Sequence, residues 1–228
     1  MKNLSYTQEY YLCAVNAKGR LSLSKGTEID CAFFAGAIME LLEHGFVKTD
    51  ENECIVCNKP LDDDFAYLKP LYDFIATQKK PRVLKDLATD WMICFRLKNK
   101  TWDELRETIG LSLVAHGDVE ELTNQGLLKN KTRFAPKTEA VTPIIERIRA
   151  ELLEHGSVTQ ETVCLTALLD SSRLIGDYFS KFESETLKKR LEELKDDEAF
   201  ATARDVIERM TFVITAVTAA IAASAAAR

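Results

Sequence analysis

The stretch AGAIMELLEHGFV, residues 35–47, decides how this chain begins to fold. It completes a run in which Ile29, Ala32, Phe33, Ile38, Leu41 and Leu42 recur at helical spacing. Glutamate and leucine are strong helix formers, and the His44-Gly45 pair that follows them is a stop signal. Glycine adopts the left-handed conformation that closes a helix, and a histidine in the last turn faces the free carbonyls and the negative end of the macrodipole. The spacing predicts a helix over residues 28–44, with Gly36 inside it marking a close approach by a neighbour. Just beyond, FVKT and ECIVC are β-prone pieces separated by Asp50, Glu51 and Asn52, which predicts a small hairpin.

The hexapeptide ELLEHG returns at residues 151–156, and the third histidine, His116, also precedes a glycine. Three histidines so placed mark either a shared metal or catalytic site or three helix ends. No HxxxH or HxxE spacing accompanies them, so three helix ends is the reading, and ELLEHG is one stop signal used twice. Cys54-Ile-Val-Cys57 is the chain's one CxxC; in a strand its two thiols face opposite sides, and zinc sites pair two such units. Asp62-Asp63-Asp64 lacks the glycine and distal glutamate of a calcium loop and reads as an acidic turn before a helix. GxxxxGKS/T, GxGxxG and GxSxG are all missing from the sequence. No catalytic constellation emerges, so no enzymatic activity, cofactor or metal is expected.

Further out, the pattern stays helical. Ser5 with Gln8 forms a capping box ahead of a helix reaching about Ala17. Pro70 starts a helix ending near Lys79, and another runs from about Val83 to Phe95. Thr101 with Glu104 opens a short helix towards Gly110, and residues 118–125 read as a further helix closed by Gly126. LLKNKTRFA, residues 127–135, is a second β-prone piece. Thr142 and Pro143 open the helix that carries the second ELLEHG, Thr159 opens a long apolar helix to residue 179, and Ser184 opens LKKRLEELK. Residues 210–227 carry no charge and are mostly alanine and threonine, which favours a helix buried in the core over a membrane span. No Pro- or Ser-rich linker divides the chain. Residues 1–228 therefore read as one mainly α domain, a single compact helical bundle with a buried apolar C-terminal helix and short β-hairpins.

The formal net charge of −6 argues against non-specific coating of nucleic acid or anionic membrane. Most of the six cysteines sit in apolar runs, as reduced thiols of a cytosolic protein do, and the N-terminus lacks the apolar stretch of a signal peptide. A cytoplasmic location is expected. Basic residues nevertheless gather in three groups: Lys18, Arg20 and Lys25; Arg96, Lys98 and Lys100; Lys129, Lys131, Arg133 and Lys137. Each group is either a solvated loop or an anion site for phosphate headgroups or nucleic acid.

From AGAIMELLEHGFV onward the chain resembles the Golgi phosphoprotein 3 family. The resemblance continues through PLDDDFAYLKPLYDFI, the Thr101-Trp102 pair, Gly126-Leu127-Leu128, LTALLDSSRLIGDYF, LKKRLEEL and the apolar C-terminal segment. It implies a compact helical domain and a non-enzymatic peripheral membrane adaptor that binds phosphatidylinositol 4-phosphate. It also implies binding, in some members, to short cytosolic tails of Golgi glycosyltransferases, and an apolar β-hairpin that dips into the bilayer. The family's lipid pocket uses a tryptophan in the loop before the second helix, an arginine on that helix and two arginines on a later one. The corresponding positions here are Lys25, Phe34, Ser112 and Ala115, and the hairpin over residues 46–58 has Asp50 and Glu51 at its tip. Serine and alanine lack arginine's bidentate grip on phosphate, and an acidic tip does not enter a bilayer. The chain thus resembles a divergent, bacterial-type member with the headgroup residues largely replaced. Lys18, Arg20, Lys25 and Arg106 stand near the pocket as candidates for a lipid headgroup or other anion. The expected partner is an anionic phospholipid headgroup or a membrane protein's cytosolic tail, met at the cytosolic membrane face. The competing reading is a winged-helix-like nucleic-acid binder, with residues 118–125 as recognition helix and the basic hairpin as wing; the acidic DVEELTNQ, which phosphates repel, places it second.

Overall fold

At the centre lies a short helix that buries every residue it has. Helix α1 (Tyr6–Ala14) is closed at its start by the Ser5–Gln8 capping box: Gln8 N–H donates to Ser5 Oγ at 3.3 Å, and Ser5 N–H donates to Gln8 Oε1 at 3.0 Å. The computed structural model describes residues 4–96, 101–123, 132–154, 156–196, 208 and 211–219. Helices α2 (Gly26–Glu43) and α7 (Gln160–Ser171) pack on α1 and on each other. Gly36 allows this crossing, since a Cβ there would lie 2.8 Å from Thr7 Oγ1 on α1 and 3.2 Å from Leu168 Cδ1 on α7. The polar residues of α1 are buried but bonded. Thr7 N–H donates to Glu40 Oε1 (2.9 Å), Gln8 Nε2 to Ser112 Oγ (2.9 Å), and Glu9 accepts both Nη groups of Arg147 (2.8 and 2.6 Å).

The first ELLEHG ends α2 as the stop signal predicts. Gly45 has φ +69°, Gly45 N–H donates to Leu42 O, and Phe46 N–H reaches back to Leu41 O. Strands β1 (Val47–Thr49) and β2 (Cys54–Cys57) form the expected antiparallel hairpin, with Val47 opposite Cys57. A third strand, β3 (Arg82–Val83), pairs with β2 and occupies the place given to the start of a helix; α4 (Leu84–Arg96) follows it. The acidic Asp63–Leu68 segment is a 3-10 turn leading into α3 (Lys69–Ala76), with Pro70 in its first turn.

Beyond this point several expectations fail, and in the first two below a distant contact overrides a local signal. Helix α5 (Thr101–His116) does not stop at Gly110 but runs through it to Gly117, whose φ is +84°. Gly110 is there because the Phe134 ring fills the side-chain position; a Cβ would lie 2.2 Å from Phe134 Cδ2. Residues 119–123, expected as helix, form strand β4 (Val119–Thr123), paired antiparallel with β5 (Thr132–Pro136) from Val119↔Pro136 to Thr123↔Thr132. Cross-strand pairing defeats the helical bias of Glu-Glu-Leu. Helix α6 (Thr138–Ile148) starts at Thr138 and carries Pro143 inside it rather than at its start.

The second ELLEHG ends differently from the first. Helix α6 passes into a π-turn (Arg149–Leu153), in which Glu154 N–H donates to Arg149 O. Gly156 is not left-handed; it is required because a Cβ would lie 2.6 Å from Ala150 O. Thr159 caps α7 as expected, but the long apolar helix breaks at Arg173 (φ +58°), where Arg173 N–H and Leu174 N–H bond Asp170 O and Leu169 O. A short helix α8 (Ile175–Tyr178) follows. Ser180, not Ser184, caps α9 (Lys181–Asp196): Glu183 N–H donates to Ser180 Oγ at 3.2 Å and Ser180 N–H to Glu183 Oε2 at 2.8 Å. The described C-terminal turns, α10 (residues 211–219), bury Val213 and Val217 while Thr211, Phe212, Thr215 and Thr218 face solvent. The burial expected all round this segment is therefore one-sided in these turns. Among the described residues no helix is long and apolar enough to cross a membrane. The architecture is mainly α, with two small antiparallel sheets.

Candidate anion-binding face

The link between α1 and α2 is a miniature hairpin rather than a slack loop. Val15 and Leu21 form an antiparallel bridge across it. Within the bridge, Asn16 Oδ1 accepts the N–H groups of Lys18 (2.9 Å) and Arg20 (3.2 Å), and Asn16 N–H donates to Arg20 O (2.9 Å). Gly19, at φ +65°, turns the chain. Lys18 and Arg20 flank it and are exposed. Gly19 lies directly on β5: a Cβ there would sit 2.6 Å from Arg133 Cβ and 3.3 Å from Phe134 N. Arg133 thereby joins Lys18 and Arg20, although the sequence groups it with Lys129, Lys131 and Lys137. Among the described residues, none of these three cations has a carboxylate within ion-pair distance.

The other two candidates are occupied within the fold. Lys25 Nζ meets both oxygens of Asp177 (2.7 and 2.9 Å) and Arg173 O (3.0 Å). Arg106 bridges Asp30 and Asp103, with Nη2 at 2.7 Å from Asp103 Oδ1. Asp30 is buried, and burial pushes its carboxyl up to about 6 against the opposing pull of Arg106. Arg106 thus serves as the counter-ion of a buried acid. Of the remaining basic residues, Lys137 donates to Gly117 O (2.6 Å), closing the end of α5. Lys98, Lys100, Lys129 and Lys131 lie outside the described residues.

His44 ends α2 with its ring 4.3 Å from that of Phe65, His116 ends α5, and His155 lies outside the described residues. Among the described residues, no group of three His, Cys, Asp or Glu is placed to hold a metal ion. Cys54 and Cys57 lie on β2 as expected.

The sequence profile of the Golgi phosphoprotein 3 (GPP34) family matches residues 7–222, nearly the whole chain. The chain belongs to that family. No curated protein matches it. In this Golgi phosphoprotein 3 (GPP34) family member, the positions that the resemblance sets against the family's headgroup residues are built into packing or left bare. Phe34 is fully buried with its ring 6.0 Å from that of Trp91. Ser112 Oγ donates to Ile109 O and accepts from Gln8 Nε2, which ties α5 to α1. Ala115 is exposed and offers no donor. The first hairpin closes tightly at its acidic tip, where Asp50 Oδ1 accepts the N–H groups of Asn52 and Cys54. The segment that was to supply a DNA-recognition helix is strand β4, which removes the geometric basis of the winged-helix reading.

Two features were missed in the sequence. Arg133 was grouped by chain proximity rather than by what Gly19 touches. Leu23 was not singled out, yet it is fully exposed at the bend between Arg20 and Lys25. The LSLS pattern around it carried the signal, with a large apolar residue between two serines in an otherwise polar loop.

Proposed function

We propose that this protein is a non-catalytic peripheral membrane adaptor that docks on anionic phospholipid headgroups, phosphatidylinositol 4-phosphate among them, from the cytosolic side. Family membership over residues 7–222 carries this reading. The exposed cations of the α1–α2 turn support it, because they offer charge to a phosphate surface. A membrane protein's cytosolic tail is the second partner class. A groove of about 420 Å³ beside the same turn supports that class, with an apolar floor of Leu12, Val15, Val141 and Ile145.

Flotation with vesicles of neutral lipid alone, or with phosphatidylserine or phosphatidylinositol 4-phosphate added, tests the reading. The expected result is flotation on anionic vesicles that weakens from low to physiological salt, since exposed charges are screened. Equal recovery with neutral and anionic vesicles sinks it.

A further inference from the structure

Helix α10 is anchored by Val213 and Val217 and turns Thr211, Thr215 and Thr218 outward. These threonines recur at intervals of four and three, the spacing of a seam between two helices. Unlike features flank the strip they form. Successive helix residues are turned by about 100°, so Phe212 stands about 100° to one side of Thr211 and Ile214 about 60° to the other. Phe212 is 66% exposed, a bare aromatic knob. Ile214 edges a groove of about 380 Å³ between α7, α9 and α10, whose apolar floor also includes Ala167 and Leu191. The groove is larger than a phenyl ring. Its charged lining is balanced, with Lys188 and Lys189 against Asp170 and Glu192, on a protein of net charge −6. Residues 210–227 add no charge to it.

Knob, strip and groove lie in a row across one surface and at one level, since Phe212 and Ile214 are separated by only about 3 Å along the helix axis. A surface that carries both a knob and a groove can complement itself. A two-fold axis running along the strip lays two α10 helices parallel and turns the Phe212 side of each copy onto the groove side of the other. The net negative charge of two identical copies makes them repel, but the balanced lining and the chargeless helix spare this face that penalty. Each Phe212 ring then exchanges water for an apolar floor, as an aromatic anchor of an interface does.

We infer that α10 is the contact surface for a second copy of this chain, in a parallel two-fold pair in which each Phe212 fills the other copy's groove between α7, α9 and α10. The groove is incomplete in a single copy, because the side chain that fills it comes from the other. The pairing is independent of the lipid reading and is decided by mass rather than by flotation.

Analytical ultracentrifugation of the full chain across the micromolar range tests it. The expected result is a concentration-dependent shift from the monomer mass to twice that mass. F212S should weaken pairing at least about tenfold. In T215K and in T215D the new charge faces its own copy across the axis, so each variant alone should stay monomeric. Mixing the two should restore pairing, because opposite charges then meet. All three substitutions change solvent-facing side chains, and an unchanged thermal midpoint confirms that each variant folds. A wild type that stays monomeric throughout overturns the proposal. So does an F212S or T215K protein that pairs as the wild type does. Wild-type association without rescue in the T215K and T215D mixture means a head-to-tail contact and overturns the two-fold pair. If the wild type is monomeric and F212S lowers its flotation on vesicles, the face meets lipid and the pairing falls.

Discussion

The two copies of ELLEHG share six residues and little else. In the first copy, Glu40 is fully buried and accepts Thr7 N–H at the start of α1 and the Tyr67 hydroxyl at 2.6 Å. In the second, Glu151 occupies the same place in the hexapeptide, and its Oε2 accepts both Thr159 N–H and Thr159 Oγ–H, at 2.8 Å each, at the start of α7. Both glutamates thus close the N-terminus of another helix, where a carboxylate is favoured. They do so in different settings, one in the core and one half-buried at the surface. The glycines diverge as well. Gly45 is left-handed with open space around it, and Gly156 is pressed against a carbonyl of its own helix. An identical local signal sets where a helix ends, and the neighbours set how it ends.

Substitutions in the two copies should separate these effects. Glu40→Ala is expected to be the most damaging. It strands the Thr7 N–H inside the protein, leaves the Tyr67 hydroxyl only Ser5 Oγ at 2.9 Å, and should cost about 3–4 kcal/mol by urea unfolding. A loss below about 1 kcal/mol would mean that the buried glutamate is not a joint of the fold. Glu40→Gln keeps most of the volume and part of the bonding, so it should be milder and should also alter the pH response. Burial raises the Glu40 carboxyl above 4.5, against the opposing donors Tyr67 and Thr7. A raised carboxyl binds its proton more readily when folded. Its stabilising contribution is complete below the unfolded value and is lost as pH rises through the folded one. Unfolding free energy should fall with rising pH across that window more steeply in the wild type than in E40Q. Parallel slopes would remove Glu40 from the account.

Gly156→Ala should come next, at about 2 kcal/mol, because the methyl meets backbone that cannot swing aside. Gly45→Ala has room and carries only the left-handed penalty, about 1 kcal/mol. If the two glycine variants lose the same amount, the distinction between strain and contact fails. Glu151→Ala should cost least, under about 1 kcal/mol, because water replaces the lost acceptor at an exposed cap.

What could be read from the chain follows the same division. The caps at Ser5 and Thr159, the close approach at Gly36 and the hairpin around Asp50 depend on residues within a few positions or on one missing side chain, and they were legible. Strand β4 was not, because its partner lies beyond the turn and local composition favours a helix. Gly110 looks like a stop and is a contact with Phe134. The Ser180–Glu183 box was present in the sequence but hidden behind the apolar run that precedes it. The candidate residues show the same limit. Lys18, Arg20, Lys25 and Arg106 stand together as anion candidates in the sequence, but Lys25 and Arg106 meet acids 152 and 76 positions away, and chain order alone does not reveal those partners.

Strand β5 is gripped at two successive residues, Arg133 by Gly19 and Phe134 by Gly110. It behaves as a bar resting in two notches, one at the surface and one in the core. A methyl group added in the deep notch would lift the bar and carry Arg133 away from Lys18 and Arg20, although no charged residue had been changed. Surface charge geometry and interior packing are therefore one inherited trait in this protein. A screen for loss of the proposed membrane affinity should recover substitutions at Gly110 alongside those at the candidate cations.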